Sequence, residues 1–233
     1  MRHIHQWVVL AVVVVLATGT LRAGVLFSDD FGTGTEPDPA KWTQTEDSNC
    51  SVSLSAGVLY AQYIGQNSPR YALVDSFDIA LPTGWSEFVL SGQWAFPTQG
   101  LGEAILRLGD PHNTSTYVQA AYVNWPNKMW RASYTGGSDP VTRSSLPTTL
   151  TDFTMTVTPT EWSFVTEGGS INKTYATTCM AGLDEIRIRI GGWEYSTVQN
   201  VAAFDNIQLT PEPATLALVA VGGFGLVFRR RRK

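Results

Sequence analysis

An alternation of apolar and polar residues with a period of two runs through most of this chain, and it narrows the fold more than any other feature. In EFVLSGQW (Glu87–Trp94), Phe88, Leu90 and Trp94 fall on one side and Glu87, Ser91 and Gln93 on the other. EAILRLG (Glu103–Gly109) sets Ala104, Leu106 and Leu108 against Glu103 and Arg107. DEIRIRIGG places Ile186, Ile188 and Ile190 opposite Arg187 and Arg189, and FTMTVTP, EWSFVTEGG and AAFDNIQLT read the same way. Successive side chains of a strand point to opposite faces, so the pattern describes strands with one wet face. Gly, Pro and Asn interrupt it roughly every eight to twelve residues, as turns do. No helical stripe occurs between residues 24 and 210. About twelve to fourteen short strands in one stretch of this length predict an all-β, two-sheet antiparallel sandwich.

The two ends do not follow this pattern. Arg2 and its neighbouring histidines precede an unbroken apolar run from Trp7 to Ala17, and LRA follows before Gly24. A basic start, a short apolar core and a small residue at the cut site predict a signal peptide over residues 1–23, removed by signal peptidase after Ala23. At the other end, Ala214–Phe228 is a second apolar run, followed by Arg229, Arg230, Arg231, Arg232 and Lys233. A helix of this length covers about 22 Å at 1.5 Å per residue, short of the roughly 30 Å hydrocarbon core. The cations would hold it at the cytoplasmic side of the inner membrane. A segment so short suits one that is recognised and removed. The expected organisation is a signal peptide (1–23), a sandwich domain (24–210) and a sorting tail (211–233).

Without the two ends, nine Lys and Arg face 19 Asp and Glu, so residues 24–210 carry a net charge of −10. Such a surface excludes nucleic acid as a partner and agrees with solubility or with holding Ca²⁺. Cys50 and Cys179 both lie in the exported part, where an oxidising compartment favours one disulfide; the alternative is two buried free thiols. Closing a loop of about 130 residues would contribute roughly 4–5 kcal/mol.

Pro211-Glu212-Pro213, an apolar helix and an arginine cluster, in that order, resemble the PEP-CTERM sorting signal of Gram-negative bacteria. The resemblance implies processing by exosortase, a membrane-embedded cysteine transpeptidase, near Pro211, Glu212 and Pro213. It also implies passage through the inner membrane and delivery to the cell surface or a biofilm matrix rich in extracellular polysaccharide. The opening VLFSDDFGTGTEPDPAKW and the closing FDNIQL resemble the first and last strands of concanavalin A-like (laminin G-like) jelly rolls. In that fold the two strands lie side by side.

Glycoside hydrolases of that fold carry alternate carboxylates on one strand, roughly Glu-x-Asp-x-x-Glu, where two acids flank a glycosidic bond. No stretch here matches. DEIRIRI puts Arg187 and Arg189 where acids are needed, and Glu161 and Glu167 are six residues apart, too far along one strand. His112, in GDPHNTS, is the body's single histidine, and no phosphate loop, zinc pattern or EF-hand loop is present. The expected function is therefore non-catalytic, structural or glycan-binding, the alternative being a glycan-active hydrolase of the concanavalin A-like class.

Two sites follow from residue chemistry. Trp125 and Trp130 bracket a polar hairpin tip with Asn124, and Arg131 follows, so rings and polar groups stand together as a sugar face requires. Gln93, Arg107, Gln119, Arg187 and Arg189 would join them if they shared a sheet. Asp29, Asp30 and Asp205 would meet if the first and last strands pair, and such hard oxygens are what a structural Ca²⁺ takes.

Overall fold

The computed structural model describes residues 24–64, 70–98, 102–123, 129–142, 147–166, 169–174, 179–194 and 197–211, all as strands and connections with no helix among them. The expected signal peptide and apolar tail helix lie outside these residues. Sixteen strands form two antiparallel sheets. The first sheet runs, in spatial order, β14 (Gly169–Thr174), β13 (Glu161–Thr166), β12 (Thr151–Val157), β7 (Phe88–Thr98), β16 (Asn200–Pro211), β4 (Val58–Tyr63) and β3 (Ser51–Ser55), with β1 (Phe27–Asp29) also on β16. The second runs β11 (Gly137–Thr142), β10 (Met129–Tyr134), β9 (Tyr117–Val123), β8 (Gly102–Gly109), β15 (Glu185–Glu194), β5 (Arg70–Ser76) and β2 (Trp42–Glu46), with β6 (Ile79–Ala80) on β15.

The alternating residues do what their period dictates. Phe88, Leu90 and Trp94 of β7, with Phe153, Met155 and Phe164, face inward from the first sheet. Leu106, Leu108, Ile186, Ile188 and Ile190 meet them from the second. Trp94 is fully buried; its indole N–H donates to Thr166 Oγ1 at 3.0 Å, and its ring meets Phe96, Phe153 and Phe164. The first and last strands pair as expected, with Phe27 opposite Leu209 and Asp29 opposite Ile207. β16 continues to Pro211, opposite Phe88, so the first proline of the expected tail is strand and not linker.

The expected disulfide is not formed; Cys50 and Cys179 are both free. Topology explains it. Cys50 precedes β3, and its thiol lies 3.9 Å from the carbonyl of Ile64, at the end of the sandwich marked by Tyr63, Asn200 and Glu194. Cys179 is buried beside Tyr117 and Thr135, at the end marked by Gly109 and Arg187. The two ends are separated by the length of β8, about 23 Å at 3.3 Å per residue, far beyond the reach of a disulfide.

Candidate functional site

The outer face of the second sheet, turned away from the core, is where the polar residues of the sequence converge. Register places them in rows. Asp75, Arg189, Arg107, Gln119 and Ser133 stand side by side across β5, β15, β8, β9 and β10. Two residues further along, Leu73, Gly191, Ile105, Ala121 and Arg131 form the next row. Tyr71, Trp193, Glu103 and Val123 form a third. Leu73, Ile105 and Ala121 make a small buried apolar cluster separate from the main core. Gly191, at φ +133°, lies between Leu73 and Ile105 in a backbone conformation that L side chains rarely adopt, so the floor of the face is low there.

The charged groups on this face are tied down. Arg189 donates from Nε and Nη2 to the two oxygens of Asp75 at 2.6 and 2.8 Å, a bidentate pair directly across the strands. Arg187 donates to Asp78. Glu103, only 3% exposed, pairs with Arg131 and accepts from the Trp193 indole N–H at 3.1 Å. Arg107 donates from Nε to Gln119 Oε1 at 2.7 Å, and its guanidinium lies 4.2 Å from the centre of the Tyr117 ring. Burial pushes Arg131 below the ordinary arginine pKa. Arg189 goes up, because its hydrogen bonds to Asp75 outweigh desolvation.

Of the polar residues that the sequence singled out, Arg107, Gln119, Arg131, Arg187 and Arg189 share this sheet, while Gln93 belongs to β7 of the other. Asn124 and Trp125 lie outside the described residues, as does the side chain of Trp130, whose backbone on β10 pairs with Tyr122 and Val141. Glu212, Pro213 and Arg229–Arg232 lie outside them too. Sequence reasoning missed Asp75, Asp78 and Tyr117. It also missed a group at the rim of the face, Asp78, His112 and Glu185, whose ligand atoms lie within 4.8 Å of one another. His112 Nε2 sits 3.1 Å from Glu185, and Arg187 already occupies Asp78.

Asp29 ends β1 where it pairs with β16, Asp30 follows it, and the charge of Asp30 reaches Asp205 of β16. Asp29 is 6% exposed; its Oδ1 accepts from the Phe31 N–H at 2.8 Å and its Oδ2 from the Trp42 indole at 2.6 Å. The Lys41 ammonium lies 3.6 Å away. Phe31 stacks on Trp42, with ring centres 5.8 Å apart. The residues of the opening DDF and KW thus lock β1 onto the start of β2. Asp205 is pushed above the ordinary carboxylate range, by burial first and then by the charge of Asp30, against the Asn206 N–H.

Comparison with known proteins bears on both parts of the chain. A family model for the PEP-CTERM protein-sorting motif matches residues 209–232. The chain carries a PEP-CTERM sorting motif. The motif implies an exported, sorted protein and processing by exosortase. No curated protein sequence matches. Among solved structures, a sialidase superposes with a TM-score of 0.61 at 12% identity over 81% of this chain, which spans 19% of that longer protein. An immunostimulatory antigen and pseudo beta-1,3-glucanase of Mycobacterium tuberculosis superposes at 0.56 and 12% identity, over 81% of this chain and 99% of that one. A GlcNAcα1-4Gal-releasing endo-β-galactosidase from Clostridium perfringens gives 0.56 and 14%, over 82% and 63%. These likenesses establish the fold alone, a concanavalin A-like jelly roll.

Proposed function

We propose that this chain is a non-catalytic surface or biofilm-matrix protein whose sandwich binds glycan on the outer face of the second sheet. The observation that carries this reading is the polar row Asp75, Arg189, Arg107 and Gln119, with the Tyr117 ring set against Arg107. Fixed donors beside an aromatic ring are what an oligosaccharide meets in a binding groove. The central carboxylates of the face, Glu103 and Asp75, are each held by an arginine. A retaining hydrolase needs a carboxyl pair about 5–5.5 Å apart, one member shuttling protons; a carboxylate kept ionised by a guanidinium is a poor proton donor. Asn124 and Trp125 fall between β9 and β10 in the sequence, whereas Trp130 belongs to β10, in register with Tyr122 and not with the rows of this face.

Retention on the host's extracellular polysaccharide tests the reading. The full chain should be retained, and changing Trp125 and Trp130 to Ala should abolish retention while the melting temperature stays nearly constant. A large loss of stability would make the two rings core. Release of reducing sugar from β-glucan by the purified chain would replace this reading with the hydrolase one. For the sorting step, the mature protein should lack residues beyond about Pro213, as read by C-terminal mass spectrometry of surface-extracted material. Replacing Arg229–Arg232 with Ser should lower processing. An intact RRRRK end in the exported pool would mean a permanent anchor.

A further inference from the structure

Residues 24–210 are acidic, yet four of their nine Lys and Arg, namely Arg107, Arg131, Arg187 and Arg189, stand on one face of one sheet. Three of the four have a carboxylate: Arg131 on Glu103, Arg187 on Asp78, Arg189 on Asp75. Arg107 has none among the described residues. Its Nε is used by the neutral amide of Gln119 and its plane is set against Tyr117; among the described residues neither Nη group has a hydrogen-bond partner. The register makes this arrangement costly. Arg107 is the cross-strand partner of Arg189, and like charges directly opposite destabilise an antiparallel pair. Asp75 is turned to Arg189, which takes both of its oxygens. Burial, and then the charge of Arg189, push Arg107 below the usual arginine range, with Tyr117 and Asp75 opposing. A fixed, half-dehydrated guanidinium with its two NH₂ groups turned to solvent is a receptor for a planar or tetrahedral oxyanion.

The space in front of it sets the size of that anion. Arg107, Arg187, Arg189 and Tyr117 line a depression of about 40 Å³, together with the carboxylates of Asp75, which Arg189 holds, and Asp110, which accepts from the His112 N–H. At roughly 10–15 Å³ per water this holds about three waters, enough for a carboxylate or sulfate group and too little for a sugar ring. We infer that Arg107 anchors an acidic sugar, with the carboxylate of a uronic acid or the sulfate of a sulfated sugar seated in this depression and the rest of the polysaccharide lying along the face. The inference rests on the glycan-binding reading above and adds the class of glycan. Asp75 is the built-in competitor for the same cations, so its removal should act opposite to removal of Arg107.

Affinity of the exported full chain is to be measured at low salt for polygalacturonate, carboxyl-reduced polygalacturonate, dextran sulfate and dextran. At least one charged polymer should bind ten times or more tighter than its uncharged counterpart, and which one does so separates uronate from sulfate. Arg107→Gln should lose that tenfold preference, and Asp75→Asn should raise affinity for the charged polymer several-fold. If Arg107→Gln fails to fold, Arg107→Lys carries the test, because one ammonium cannot offer the two-pronged donor and should lose most of the preference. Equal binding of charged and uncharged polymers, unaffected by either Arg107 change, would overturn the acidic-sugar site while leaving glycan binding intact. Binding of inorganic sulfate through Arg107 with no polymer bound would remove both.

Discussion

On β3, β12 and β13 of the first sheet, buried residues alternate with half-exposed or exposed ones, whereas the central strands β8 and β9 of the second are buried on both faces almost throughout. The outer residues of the first sheet are small and wet: Ser51, Ser53, Ser55 and Thr154 are exposed, and the bond from Gln93 to Asp152 is made in solvent. Those of the second sheet are long and paired, with Gln119 and Glu103 nearly inaccessible and Ile105 and Ala121 among them. A polar group at a buried position needs a partner, and a wet one does not. The first face is therefore held to its pattern only loosely. The second is specified residue by residue, and a change there should be felt by stability as well as by any ligand.

The sharpest way to break this contrast is to remove one carboxylate from each face. Glu103→Ala would remove the buried carboxylate from the half-buried Arg131 and from the Trp193 N–H and should cost about 2 kcal/mol, less than a fully buried ion pair because Arg131 keeps some solvent. Asp152→Ala should stay within about 0.5 kcal/mol, as surface changes do. Urea denaturation of the two variants compares them directly, and equal losses would dissolve the distinction. A similar effect is expected from Ile105→Ala, about 2 kcal/mol for deleting a buried branched side chain, against no measurable change for Val165→Ala, which is 52% exposed. The smallest concerns pH. Asp205, on the first sheet, has its carboxyl raised in the folded state, so its stabilising contribution is present at low pH and is lost as pH rises through its folded value. Asp205→Asn should melt slightly higher than the parent above the carboxylate range and converge with it below; a constant offset across pH would assign the difference to packing.

The strands were legible because burial of one face imposes the period, and Phe88, Leu90, Trp94 and the three isoleucines of β15 all sit where alternation puts them. Ile105 and Ala121 fall in the polar phase of their strands, so the same rule hid the second apolar cluster. The pairing of the arginines was equally hidden: Asp75 meets Arg189 across 114 residues of chain and Asp78 meets Arg187 across 109. No local pattern encodes such distances; only the sheet order does. Asp29 shows the opposite failure. Its motif was visible, but not that the carboxylate accepts from the indole of Trp42 and the backbone N–H of Phe31. The two cysteines were assigned from compartment chemistry, which carries no information about which end of a sandwich each occupies.

The sorting motif begins at residue 209, inside β16, and Pro211 is still opposite Phe88. That strand is clasped between β7 on one side and β4 and β1 on the other. A body tethered through this end would feel any drag along the axis of its most enclosed strand. Backbone hydrogen bonds on both flanks would then bear the load together in shear, instead of parting one at a time as they do when an edge strand is peeled. A sandwich strung this way should withstand tension better than one hung from an outer strand or from a flexible leader.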